Sequence, residues 1–289
     1  MSNQFHLKSG CKINLNLKIL DARPDGYHDI DSIFYPLEHP ADHIDVIVTR
    51  NNSLSMKCCP PELENNQNIV FRAYEKFALA TGFRPGMKVY LQKQVPVGAG
   101  LGGGSANAAV MLKLLNRLAK GRRLSRARLT DLASEIGGDV PFFLANVPAQ
   151  VTGMGERLSP VKVDLTGLKM LLICPGIHID TGWAYGQWDL LKKNISDDQT
   201  IGLTSRPSKD KGSPLEEQLV LSNNFESVIF RFYPELAKIK TMMLKNGASA
   251  CVMSGSGSSL LALFRHQDQV FESCTELKTQ SIPFYFYNF

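Results

Sequence analysis

Pro96-Val-Gly-Ala-Gly-Leu-Gly-Gly-Gly-Ser-Ala-Asn-Ala-Ala109 is the stretch that decides how the chain is read. Five glycines fall between Gly98 and Gly104, and no acidic side chain interrupts them. Glycine has no Cβ, so such a backbone can take positive φ and come close to a ligand. Downstream, Ala108, Met111, Leu112, Leu115, Leu118 and Ala119 follow the i, i+3, i+4, i+7 spacing of a helix with one apolar face. A bare glycine loop feeding a helix N-terminus presents unpaired N–H groups and the positive end of the helix dipole. It predicts an anion site, and phosphate is the usual guest.

Three phosphate loops compete with a plain tight turn. A P-loop needs a lysine after its last glycine, and none is present here. A dinucleotide fingerprint is satisfied literally by Gly98, Gly100 and Gly103, after a strand-like stretch from Met87 to Val95. That motif also expects a second strand and an acidic residue about 20 residues on. The corresponding region, Lys120 to Arg128, is basic and polar. A mere turn does not need so many glycines, each of which adds to the entropy lost on folding. The third loop is P-x-x-x-G-L-G-[GS]-[GS]-S-[SA]. Pro96 to Ala106 resembles it at every position. It is the nucleotide loop of the GHMP superfamily of galactokinases, homoserine kinases, mevalonate kinases and phosphomevalonate kinases.

The resemblance runs over essentially the whole chain. Cys11-Lys-Ile-Asn-Leu-Asn-Leu17, Arg23-Pro-Asp-Gly-Tyr-His28, Gly137-Gly-Asp-Val-Pro-Phe142, Cys174-Pro-Gly-Ile-His-Ile-Asp-Thr181, Ser222-Asn-Asn224 and Met253-Ser-Gly-Ser-Gly-Ser258 stand in order. Together they resemble the 4-diphosphocytidyl-2-C-methylerythritol kinase family, and Asp25-Gly-Tyr-His28 discriminates it best. The departures are small: Cys11 and Gly138 stand where alanine is common, and Ala106 where a second serine is common.

The resemblance implies an α+β, two-domain GHMP-kinase-like fold. Residues 1–160 would form a mixed αβ ATP-binding domain with the glycine-rich loop, and 161–289 a ferredoxin-like domain. It implies ATP-dependent phosphorylation of the 2-hydroxyl of the family's substrate, with ATP and Mg²⁺. Pro96, Val97, Gly98, Ala99, Gly100, Leu101, Gly102, Gly103, Gly104, Ser105 and Ala106 would hold ATP, with Asn68 at the adenine. Lys12 and Asp139 would be catalytic. Asn14, Tyr27, His28, Thr181 and Tyr185 would hold a small molecule carrying a cytidine diphosphate group. No metal ligand is assigned. Three rivals stay open: a superfamily kinase for another alcohol, a non-catalytic sensor on the same fold and, most distant, a dinucleotide-dependent oxidoreductase, which absence of nicotinamide binding would close.

Read without the resemblance, several of these residues have a second meaning. Lys12 could be a surface lysine, His28 a turn histidine, and Ser254-Gly-Ser-Gly-Ser258 an ordinary hairpin. Asp139 could be a helix N-cap or a general base, roles that are compatible. Capping explains Asn68 as well as adenine contact does.

The chain has 289 residues, which suggests two domains of ordinary size. A net charge of +5 with 20% charged residues suits an anionic substrate and is too weak and scattered to argue for nucleic acid. The six cysteines form no C-x-x-C and no Cys/His cluster with zinc spacing, so reduced thiols in a reducing compartment are expected. The N-terminus lacks an apolar signal core, and no apolar run approaches a membrane span, so a cytoplasmic protein without membrane partners is expected.

Along the chain, Lys8 to Leu20 alternates, predicting a strand with Ile13, Leu15, Leu17 and Ile19 inward and Lys12, Asn14, Asn16 and Lys18 outward. His43 to Arg50 predicts a second strand. Asn68 and Gly82 bracket one helix, and Ser125 and Gly137 another. Lys169 to Cys174 reads as a strand, Thr181 to about Lys193 as a helix, and the polar stretch 194–213 as a mobile loop. Pro234 to Asn246 predicts a helix closed by Gly247, followed by two short strands around Ser254-Gly-Ser-Gly257. A helix with Val270, Phe271, Cys274 and Leu277 inward precedes a last strand, Phe284 to Tyr287. The order β-α-β-β-α-β suits a ferredoxin-like unit.

Overall fold

The computed structural model describes residues 3–195 and 221–289, so the stretch 194–213 falls outside the described residues from 196 onward. Its N-terminal half is built on a long antiparallel pair, β1 (Gln4–Ala22) and β2 (His28–Thr49). With β3 (Leu54–Cys59), β4 (Gly86–Gln92), β5 (Ala149–Gly153), β6 (Arg157–Pro160) and the later β8 (Ser222–Asn223) it forms a 7-stranded sheet. The order is β3-β4-β2-β1-β8, with β5 on β2 and β6 on β5. Helices α1 (Ile69–Thr81), α2 (Gly103–Leu118), α3 (Arg126–Ile136) and α4 (Val140–Ala145) cover one face. Their Phe77, Leu112, Ile136 and Phe142 pack with Ile44, Val46 and Leu91 in one buried cluster.

The second sheet contains β7 (Lys169–Ile173), β9 (Ala250–Met253), β10 (Leu260–Phe264) and β11 (Phe284–Asn288). Its order is β11-β7-β10-β9, with each neighbouring pair antiparallel. Its helices are α5 (Thr181–Ile195), α6 (Glu226–Phe232), α7 (Pro234–Lys245) and α8 (Gln267–Thr279). In chain order this is the expected ferredoxin-like unit, with extra helices inserted. A second buried cluster lies between the two sheets. It joins Cys11, Ile13, Leu15 and Leu37 to Met170, Leu172, Val252 and Leu261.

That second core corrects the reading of β1. Asn14 pairs with Phe34, but Asn16 pairs with Ile33, so Leu15 is an extra residue, a β-bulge. Side-chain parity changes there. Ile13 and Leu15 enter the inter-sheet core, whereas Leu17 and Ile19 join the helix-covered core, on the face of Lys12 and Asn14. Lys12 and Asn14 are therefore not solvent-facing; they are 4% and 1% exposed. Alternation could not reveal this, because β1 is covered on both sides.

Most helix ends match their signals. The Asn68 side chain accepts from Val70 N, Gly82 closes α1 at φ +66°, and the Ser125 hydroxyl accepts from Arg128 N. Gly137 ends α3 in extended backbone, without a left-handed turn. In α8 the inward stripe is Val270, Ser273 and Leu277; Phe271, predicted inward, is 74% exposed because it lies one step round the helix. No helix among the described residues is long and apolar enough to cross a membrane.

Candidate active site

The loop between β4 and α2 takes positive φ at Gly98, Gly100 and Gly102. Gly102 is the N-cap of α2, makes no side-chain cap bond, and is followed by a first turn free of acidic residues. The first N–H groups of α2 therefore point into open space beside the positive end of its dipole. The loop is clamped from behind. A Cβ on Gly100 would stand 2.0 Å from the carbonyl oxygen of Ser254. The Ser254 hydroxyl donates to Gly100 O at 3.1 Å, and Lys12 N donates to Leu101 O at 2.9 Å. This is why the 253–258 segment is rich in small residues: it packs against the loop backbone.

Lys12 points to the mouth of this loop. Its Nζ lies 4.5 Å above the Phe34 ring, donates to Asn14 Oδ1 at 2.6 Å, and stands 3.6 Å from Asp139 Oδ2. Burial lowers the Lys12 pKa from its ordinary value, and the Asp139 charge partly opposes the fall. Asp139 occupies the N-cap position of α4 but makes no side-chain cap bond. Capping therefore does not account for its carboxylate, which faces Lys12. Asn14 uses both ends of its amide: the oxygen on Lys12, the nitrogen on Ser32 Oγ at 2.8 Å. It fixes the position of the lysine from below.

A cleft of about 900 Å³ runs past this pair, and it is walled by every residue predicted for the site except Ala106. Ala106 is buried in α2 and its N–H is taken by Gly102 O, so it gives the wall nothing. Asn68 lines the cleft, but its side chain is already bonded to Val70 N and Leu63 O. On the same wall His28 stacks on Tyr185, with ring centroids 5.0 Å apart and planes 12° from parallel. Burial pushes the Tyr185 hydroxyl up to about 12. Tyr27 is 64% exposed at the rim, and Thr181 Oγ1 meets Ser256 Oγ at 2.9 Å.

Two groups escaped the sequence reading. One is Asp189 on α5, whose Oδ1 lies 2.8 Å from His28 Nε2. The residues are far apart in the chain, and nothing local flags the contact. The other is a buried network under the loop. Asp42 Oδ1 accepts from Gln94 N and Val95 N, while Asp42 Oδ2 accepts from Lys93 Nζ and Asn107 Nδ2. Lys93 and Asn107 also line the cleft. Asn107 was legible in principle as a polar residue among Ala106, Ala108 and Ala109. No group of three or more His, Cys, Asp or Glu among the described residues could hold a metal ion by itself.

The GHMP kinases N terminal domain matches residues 68–153, and the GHMP kinases C terminal domain matches 210–279. The 4-diphosphocytidyl-2-C-methyl-D-erythritol kinase of Nitratidesulfovibrio vulgaris is 42% identical over 99% of both chains. The chain belongs to the 4-diphosphocytidyl-2-C-methyl-D-erythritol kinase family. The family member from Parabacteroides distasonis is 35% identical over 94% of this chain and 93% of its own. A crystal structure of 4-(cytidine 5'-diphospho)-2C-methyl-D-erythritol kinase superposes with a TM-score of 0.75 at 28% identity, covering 98% of each chain. A homoserine kinase from Cytophaga hutchinsonii, 16% identical over 99% of this chain and 94% of its own, shares the fold with a TM-score of 0.71.

Proposed function

We propose that this protein transfers the γ-phosphoryl group of ATP to the 2-hydroxyl of 4-diphosphocytidyl-2-C-methyl-D-erythritol. One observation carries the reading. The Lys12–Asp139 pair, the bare N-terminus of α2 and the His28–Tyr185 stack line one cleft; the Lys12 side chain adjoins Gly102, and the Asp139 charge reaches Tyr185. A phosphoryl donor held at the loop and a cytidine held at the stack would meet at that pair.

The chemistry asks for alignment and charge neutralisation more than for covalent help. The N–H groups of the 98–105 loop receive the phosphates. Asp139 accepts the proton of the attacking hydroxyl. Lys12, held by Asn14 and relieved of hydration, donates hydrogen bonds to the oxygens where negative charge gathers. Asn68 and neighbouring Ile69 border the space for adenine. Tyr27, Thr181 and Tyr185 enclose the substrate with His28. Mg²⁺, which would neutralise phosphate charge, needs few protein ligands because it keeps water and phosphate oxygens. We place the domain boundary at 160/161 and the protein in the cytoplasm, where its six free cysteines would stay reduced.

The test offers the protein ATP with a panel of alcohols and follows ADP release. Turnover only with the diphosphocytidyl alcohol is expected. Equal or greater turnover with homoserine, mevalonate or galactose would overturn the assignment, and ATP binding without turnover of any alcohol would favour a sensor.

A further inference from the structure

We infer that Asp189 sets the base preference of the substrate pocket by fixing the tautomer of His28. The inference rests on the proposal that the cytidine end of the substrate sits at His28. The His28 side chain is 4% exposed, and its ring is held flat against Tyr185. One ring nitrogen, Nε2, lies 2.8 Å from Asp189 Oδ1. A carboxylate accepts hydrogen bonds and cannot donate, so Nε2 carries the hydrogen. In the neutral ring the other nitrogen, Nδ1, is then left with a lone pair. No hydrogen bond to Nδ1 occurs among the described residues, and His28 lines the cleft.

An acceptor at that edge discriminates between pyrimidines. Cytosine presents an exocyclic amino group, a donor. Uracil presents a carbonyl oxygen at the same position, an acceptor. A lone pair on Nδ1 is satisfied by the first and opposed by the second. The opposite tautomer would reverse the choice. Asp189 touches no base in this account. It is a positioning residue on α5 that meets a histidine at the start of β2. The same helix carries Tyr185, one turn earlier, so one element holds both the plane of the His28 ring and its proton.

The experiment is calorimetric titration of CDP and UDP into the wild-type protein and into Asp189→Asn, Asp189→Ala and Asp189→Glu, with ATP affinity and a thermal melt as controls. The wild type is expected to prefer CDP. Asparagine can offer an oxygen or an amino group to Nε2, and alanine offers nothing, so neither enforces the tautomer. Both should lower the CDP-to-UDP affinity ratio by at least about fivefold, the worth of one hydrogen bond of about 1 kcal/mol. Asp189→Glu, which again presents an accept-only group, should retain most of the preference. A purely structural role would weaken both ligands together and leave the ratio unchanged. A wild-type preference that survives Asp189→Asn and Asp189→Ala overturns the role of Asp189 alone. A wild-type protein that binds both nucleotides equally, or neither, overturns the cytidine pocket along with it.

Discussion

Asp42→Asn tests how the phosphate loop is anchored. Asp42 is fully buried and takes four donors: Gln94 N at 2.7 Å, Val95 N at 2.9 Å, Asn107 Nδ2 at 2.8 Å and Lys93 Nζ. Asparagine has one oxygen in place of two. If that oxygen keeps the two backbone N–H groups, its amino group must face the Lys93 ammonium and the Asn107 amide. Donor then meets donor, and the Lys93 side chain, 7% exposed, keeps a charge without its counterion. Breaking one partner of such a pair typically costs about 3–5 kcal/mol. For a chain of this size that is a fall in melting temperature of the order of 10 °C. Lys93→Met removes the stranded charge, and Asn107 can then turn its oxygen toward the new amide. The double variant should therefore be more stable than Asp42→Asn alone. Urea titrations of the four proteins close the cycle, and ATP titration should show weaker binding in Asp42→Asn, because Gln94 and Val95 lead into the loop. A loss under about 1 kcal/mol, the worth of an ordinary hydrogen bond, would refute the anchoring argument. So would a double variant whose losses simply add.

Asp139→Asn removes the proposed base while keeping the side chain's size, and kcat should fall at least about 10²-fold with ATP affinity little changed; near-normal turnover would end the base assignment. Lys12→Met should abolish most turnover yet leave the melting temperature equal or higher, since it removes an ammonium that burial disfavours. The sign follows from linkage. A lysine with a lowered folded pKa binds fewer protons folded than unfolded, so wild-type stability should gain from Lys12 as pH rises from the lowered value toward 10.5, and Lys12→Met should lack that gain. Gly100→Ala should force the loop off Ser254, adding about 1–3 kcal/mol of backbone strain at φ +76° and weakening ATP binding; unchanged affinity would place the nucleotide elsewhere. Under native conditions a thiol reagent should label exposed Cys59 and spare Cys174 and Cys251, whose thiols burial pushes up to about 11 and about 12. Mass mapping after brief alkylation reads the outcome directly.

The parts of this protein governed by local chemistry were legible in its sequence. Consecutive glycines need no partner to adopt positive φ, and an apolar stripe at helical spacing needs only one neighbour, so the loop and α2 follow from residues 96–119. Asn68, Gly82 and Ser125 mark helix ends because capping bonds span only a few residues. Resemblance over the whole chain named the family. Tertiary structure decided what depends on distant partners. Whether Lys12 is solvated or buried rests on distant elements that close over its face of β1: Phe34 in β2, Gly102 at the start of α2 and Asp139 before α4; the second sheet takes Ile13 and Leu15 on the other face, and the bulge at Leu15 changes which side chains follow. Whether Asp139 caps a helix or faces a lysine depends on where β1 passes α4. The tautomer of His28 depends on Asp189 on α5, and the footing of the loop depends on Asp42 in β2 meeting Lys93 and Asn107. Hydrogen bonds and ion pairs act over a few ångströms of space, and the fold alone decides which residues come that close.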